Sequence, residues 1–276
     1  MSNKPAITCS PVVALACALS CAANPANKPP DREEIIHRAS QRFERAVLFK
    51  PRDSGLSIEF TFAPLIVEEI EQTAAQQATT QAASVARSDA RTVYYSSRMA
   101  QLGAEKLDQI EYVWILNAAS PDESAPCAKY RGLRITLDHD GYPLVWEALT
   151  SEAGPHLVFV AENLEAEAKA LFGEPEGESR FAVESVADSG ANAIIVATIE
   201  QGPVPMGPYV YLSKPPERAI INVLCRCSPS PVDDFAATPM YDLQPIEVLE
   251  KQCPEIMKQL RATPPPNAIL RWPRSP

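Results

Sequence analysis

An α+β fold is the class that the amino-acid sequence predicts: a mainly antiparallel β-sheet with an N-terminal helix and a short mid-chain helix. Three observations point there. Short runs alternate apolar and polar residues with period two, separated by turn residues, the mark of half-buried strands. These runs follow one another with few helical segments between them, which disfavours a doubly wound parallel sheet. Proline is abundant, at 27 of 276 residues, and glycine scarce, at 10. Proline fixes φ and removes a backbone donor, so the elements should be short and punctuated.

The opening thirty residues read as an address rather than as fold. Lys4 precedes an uncharged stretch from Ala6 to Ala23, broken by Pro11. A positive start, a short apolar run and small residues before a cleavage point describe a secretory signal. "ALSC" (Ala18 to Cys21) resembles the box before a lipid-modified cysteine, as does "ALAC" ending at Cys17. Cys21 leaves the longer apolar run ahead of it and the polar "AANPANKPPDREE" behind it, so Cys21 is the preferred lipidation site, with Cys17 the alternative. A plain signal cleaved after Ala22 or Ala23, or an uncleaved anchor, is the competing reading. The expected organisation is a signal segment at 1–21, a tether at 22–30, a helix and strand region at 31–72, a low-complexity insertion at 73–90, an antiparallel β-rich body at 91–230 and a proline-rich C-terminal region at 231–276.

Asp31, with Glu34 three residues on, is a capping-box start. Ile35, Ala39, Phe43 and Ala46/Val47 continue at helical spacing until Pro51, which predicts one helix across that stretch. "LSIEFTF" (56–62) alternates and reads as a strand; "PLIVEEIE" fits a strand or a short helix. "TVYYSSRMAQL" and "LDQIEYVWIL" flank Gly103 to Lys106 as a hairpin. In the second run Ile110, Tyr112, Trp114 and Leu116 share one face and Val113 and Ile115 the other, so a central strand is expected. "LRITLD", "HDG" and "YPLVWEAL" form a second hairpin, and "HLVFVAE" a further strand. Asn163 caps a helix over "LEAEAKALF" that stops at Gly173. "RFAVESV", "NAIIVATIE", "PYVYL" and "AIINVLCRC" read as further strands. One or two helical turns are expected between Ile246 and Arg261. Trp114 and Trp146 should share one core with Phe159 and Ile195.

Composition narrows the function. Net charge is −10, and the basic residues are scattered. An acidic chain without a basic cluster repels phosphodiesters, so no nucleic-acid partner is expected. The chain carries no G-x-S-x-G, H-E-x-x-H, P-loop or G-x-G-x-x-G motif.

Four groups of residues could carry chemistry. Cys225 and Cys227 lie two apart, on one face of a strand and about 7 Å from each other if extended. Two thiols so placed could serve a metal or redox role, but zinc sites usually need two such pairs. In an exported protein, bridges from this pair to Cys127 and Cys253 are the expectation, direct Cys225–Cys227 bridging being strained. His37, His139 and His156 are far apart, and "DHDG" (138–141) reads as a hairpin turn rather than a calcium loop. Glu147 could belong to a glycosidase-like acid pair, or be a solvent-facing residue beside Trp146. "GPVPMGPYVYL" (202–212) is a stiff loop bringing Met206, Tyr209 and Tyr211 together as a possible ligand loop.

The expected protein is therefore an exported, lipid-anchored bacterial envelope protein. It acts as a binding or structural module on the periplasmic face of a membrane or at the cell surface, meeting an envelope protein or a small ligand, and needs no metal or other cofactor. The balance is against an enzyme. The alternative is an envelope hydrolase with paired carboxylates, or a thiol or metal protein using Cys225 and Cys227.

Overall fold

The computed structural model describes residues 31–53, 55–71, 92–116, 129–177, 179–184, 193–263 and 270–273. They belong to one unit, Asp31–Pro276. The expected α+β architecture is corrected: the unit is mostly β, a mixed twelve-stranded sheet curled into a nearly closed barrel.

The strands are β1 (Phe43–Pro51), β2 (Leu65–Glu69), β3 (Thr92–Leu102), β4 (Glu105–Leu116), β5 (Lys129–Leu137), β6 (Pro143–Thr150), β7 (His156–Ala161), β8 (Ala193–Ile199), β9 (Tyr209–Leu212), β10 (Ile220–Leu224), β11 (Val232–Ala237) and β12 (Met240–Pro245). Their order across the sheet is β10-β9-β2-β1-β12-β3-β4-β5-β6-β7-β8, with β11 also on β1. From β3 to β7 every pair is antiparallel and sequential. Elsewhere the pairing is largely parallel: β1 with β11 and β12, β12 with β3, β2 with β9, β7 with β8. Period-two alternation reports that a residue run is extended, not the direction of the strand beside it, so parallel partners distant in sequence escaped the prediction.

Helix α1 (Arg32–Ala39) starts as expected, with the Asp31 carboxylate accepting from the Glu34 amide at 2.9 Å. It then stops at Ser40, and Phe43, Ala46 and Val47 belong to β1. That strand is buried on both faces from Ala46 to Phe49, so no alternation betrays it and its apolar spacing mimics a helix. "LSIEFTF" is also corrected: α2 (Ile58–Thr61) is a single helical turn that seats Phe62 and Ala63 in the core. The described part of "RFAVESV" is a turn with one bridge, Glu184 to Leu270, and the Glu165 carboxylate accepts from the Ala182 and Val183 amides. Helix α3 (Glu162–Phe172) links the parallel strands β7 and β8 and ends at Gly173; its N-cap is Ala161 rather than Asn163. The C-terminal region contributes β11 and β12 to the sheet, then α4 (Ile246–Gln252) and α5 (Pro254–Ala262).

The two faces of β4 divide as the sequence predicts. Ile110, Tyr112, Trp114 and Leu116 enter the main core, which also holds Trp146, Phe159 and Ile195. Val113, on the opposite face, packs with Tyr94, Tyr130 and Leu149 beneath Leu249, Met257 and Leu260 of α4 and α5. Helix α1 lies against both end strands of the sheet, β8 and β10. Its Ile35 enters the core, and Asn222 of β10 donates to the Ala39 carbonyl at 2.7 Å. The helix thereby closes the seam that the twelve strands leave. No helix among the described residues is long and apolar enough to cross a membrane.

Candidate ligand-binding rim

One end of the barrel gathers segments that lie far apart in sequence. The loop from Gly202 to Pro208 enters it between β8 and β9. Its path is set by backbone contacts: the Gly207 amide donates to the Thr61 carbonyl at 3.0 Å and the Leu65 amide to the Pro208 carbonyl at 2.9 Å. A Cβ on Gly207 would meet the Phe62 carbonyl oxygen at 2.3 Å, so only glycine permits this approach. Gln201 donates to the Pro143 carbonyl at 2.9 Å, which ties the same loop to the start of β6.

Next to the loop, Cys225 and Cys227 are joined by a disulfide. The expected bridges to Cys127 and Cys253 are thus corrected for this pair. The physical reason is local: β10 ends at Leu224, and a turn closed by Ser228 N to Cys225 O at 3.1 Å brings the two Cα atoms to 5.1 Å. That separation suits a disulfide, whereas an extended strand would not. Cys225 is half-buried against the core and Cys227 exposed. Cys253 is also disulfide-bonded. Cys127, Cys17 and Cys21 lie outside the described residues.

Between the two cysteines, Arg226 reaches inward and donates from Nη2 to the Ala63 carbonyl at 2.5 Å. Its Nε is buried and has no hydrogen-bond partner among the described residues. Burial lowers the guanidinium from its ordinary value, and the groups that oppose this are the hydroxyls of Tyr241, Tyr209 and Tyr112. Two of those hydroxyls are spent on backbone: Tyr112 donates to the Glu59 carbonyl at 2.7 Å and Tyr241 to the Pro64 carbonyl at 2.8 Å. Burial pushes both phenols well above their usual value. Of the expected ligand loop, Met206 and Tyr209 are half-buried at this rim. Tyr211 is buried in an outer cluster, where it meets Phe43 edge-on at 5.6 Å, and Tyr209 packs against the same cluster with its ring 6.1 Å from that of Tyr211.

A second polar constellation crosses the outer face of the antiparallel strands. Glu111, Arg134 and Glu147 stand opposite one another on β4, β5 and β6. Arg134 donates from Nε to Glu111 at 2.8 Å and from Nη1 to Glu147 at 3.4 Å. His156 Nε2 lies 3.0 Å from the same Glu147 oxygen, and Arg98 adds a contact to Glu111 at 2.9 Å. Glu147 is therefore fully buried rather than solvent-facing. The other histidines stand apart. His37 is exposed on α1, and His139 sits in the β5–β6 turn, 4.0 Å from Glu105. In that turn the Asp138 carboxylate accepts from the amides of Asp140 and Tyr142, the work of a hairpin. Among the described residues no three His, Cys, Asp or Glu side chains gather as metal ligands.

Sequence reasoning singled out the loop and the cysteines but missed Arg226, Tyr112 and Tyr241 as their companions. A charged residue between two cysteines at a strand end was the available signal. No family model, curated protein or solved structure matches this chain.

Proposed function

We propose that the chain is an exported, lipid-anchored envelope protein whose barrel is a binding module, with the Gly202–Pro208 rim as its ligand site. The uncharged opening run, the small residue before Cys21 and the polar tether behind it support export. The disulfides at Cys225–Cys227 and at Cys253 suit an oxidising compartment. The observation that carries the binding reading is Arg226: a guanidinium drawn into the barrel end among tyrosines, held by one carbonyl, on a backbone fixed by glycine contacts and a disulfide. A rigid, partly polar rim loses little ordering entropy when a ligand docks on it.

A hydrolase is the second reading, and it rests on the Glu147–His156 contact. Against it, Arg134 engages both Glu111 and Glu147, so the carboxylates are spent as ion-pair partners.

Two measurements test the proposal. Mass spectrometry of membrane-extracted protein should find Cys21 as a lipidated first residue; an intact Met1 in a cytoplasmic pool overturns the location. Methyl NMR of Met206 during titration with a library of small polar fragments should show shifts confined to the rim. A library that leaves Met206 and Tyr209 unmoved overturns the binding site.

A further inference from the structure

We propose that Arg226 is the anchor for an oxyanion, the carboxylate or phosphate group of a small ligand, with the Tyr209 hydroxyl as second donor. The inference rests on the rim being the binding site, and it specifies the ligand chemistry.

The comparison that singles out Arg226 is internal to the molecule. Arg131, at 1% exposure, pairs with Glu152 at 2.8 Å and also donates to the carbonyls of Tyr130, Glu217 and Arg218. Arg134, at 0%, pairs with Glu111 and Glu147. Arg218 pairs with the buried Glu68 at 2.8 Å. Each is drawn into the fold with a carboxylate. Arg226 has none among the described residues, and the groups acting on it are neutral phenols. A guanidinium offers five N–H donors in a fixed fork. One is used on Ala63, and the buried Nε has no acceptor among the described residues. Burying a donor without a partner is costly, so such a group favours whatever can complete it, and an oxyanion can.

The surroundings favour an anion over a further protein carbonyl. Tyr112 and Tyr241 have committed their protons to the Glu59 and Pro64 carbonyls, so neither can donate to an incoming group. Tyr209 is half-buried, and its hydroxyl makes no hydrogen bond among the described residues. Of the three phenols that act on Arg226, Tyr209 is the one whose proton is uncommitted among the described residues, and its partial exposure leaves an approach from solvent. Glu59, a carboxylate that acts on the neighbouring Tyr112, is already engaged. Burial raises its pKa, but hydrogen bonds from its own backbone, Ser57 and Ser97 outweigh that and lower it, and its Oε1 accepts from the Ser97 hydroxyl at 2.9 Å. Planar, two-pronged donation is what carboxylate and phosphate oxygens accept best.

Calorimetric titration of the intact mature protein with inorganic phosphate and, separately, with acetate tests this. Saturable binding of at least one anion is expected, and the stronger arm tells phosphate from carboxylate chemistry. Arg226→Gln should abolish it, and Arg226→Lys, which keeps charge without the fork, should weaken it by about tenfold. Tyr209→Phe should weaken it severalfold with an unchanged urea midpoint. This variant leaves Arg226 in place, so it remains informative if Arg226→Gln does not fold. Absence of saturable binding for both anions, or binding indifferent to Arg226→Lys and Tyr209→Phe, overturns the inference. If uncharged fragments still shift Met206, only the oxyanion fails; if none does, the binding rim fails with it.

Discussion

Strands β3 to β7 and strands β1, β2 and β9 to β12 build one barrel in opposite ways. In the first group each strand pairs with the next in sequence, as in the ten-residue register that runs from Val93↔Trp114 to Leu102↔Glu105. In the second, β2 lies parallel to β9, with Leu65 opposite Tyr209, and β1 lies parallel to β11, with Phe43 opposite Val232. A hairpin closes a short loop, so its contacts form early and its register is set by its turn. A parallel pair joined across more than a hundred residues can form only once the intervening chain has organised. The candidate rim belongs to the second kind: Arg226, Ala63, Gly207 and Tyr112 meet because distant segments have already docked.

The largest effects should come from the main core, to which Trp114 of the first group and Phe49 of the second both belong. Trp114→Ala and Phe49→Ala should each cost about 3–5 kcal/mol, read as a fall in the urea midpoint. Trp114→Ala should chiefly slow folding and Phe49→Ala chiefly speed unfolding. Equal partition between the two rates in both variants would break the distinction between the halves.

Arg134→Met should cost about 3–5 kcal/mol, because Glu147 and Glu111 would be left buried without their partner. Replacing Glu111, Arg134 and Glu147 together by apolar residues should recover much of that loss. A triple variant weaker than the single one would mean that the ion pairs stabilise beyond satisfying each other.

A pair of glycines compares the halves directly. A Cβ at Gly132 would meet the Tyr112 carbonyl oxygen at 2.4 Å, and one at Gly207 the Phe62 carbonyl oxygen at 2.3 Å. Alanine at either should cost about 1–3 kcal/mol by forcing backbone apart. Gly207→Ala should also shift the Met206 methyl resonance, and Gly132→Ala should leave it in place.

Alkaline pH offers a smaller test. Burial pushes the Tyr211 phenol up to about 12, against about 10 for a free tyrosine. A raised folded-state pKa favours the neutral form, so this contribution is fully present below about pH 10 and is lost as pH rises towards 12. Tyr211→Phe should flatten the fall in stability across that window, measured by urea denaturation at stepped pH. An unchanged slope would place the late-titrating tyrosine elsewhere, with Tyr112 and Tyr241 as the alternatives. The smallest effect is expected at the exposed Arg42–Asp233 pair, where Arg42→Ala should cost less than about 1 kcal/mol.

Local physics made part of this molecule legible. The Asp31 cap, the β3–β4 and β5–β6 hairpins and the two faces of β4 were readable because each depends on residues within one turn or one strand pair. The readings at 43–47 and 56–62 failed for the opposite reason. β1 is buried on both faces, with Val47 and Phe49 in the main core and Ala46 and Leu48 in an outer cluster with Tyr211 and Val232, which erases alternation, and the single turn α2 is dictated by the seating of Phe62 and Ala63. The candidate loop was visible in its prolines and glycines, but its charged centre was not, because Arg226 acquires meaning only from Ala63, Tyr112 and Tyr241.

By itself, then, the sequence determined where the chain is extended between residues 92 and 161, which of those side chains turn inward, and the stiffness of the segment from Gly202 to Pro208. These follow from covalent geometry, side-chain alternation and turn chemistry, which act over a few residues. Only the tertiary structure decided that the sheet is mixed and nearly closed, that α1 spans its seam, that Cys225 bonds Cys227, and that a guanidinium with no carboxylate partner among the described residues lies at the barrel end. Those outcomes depend on burying surface between segments far apart in the chain, and such burial is a property of the assembled barrel rather than of any stretch within it.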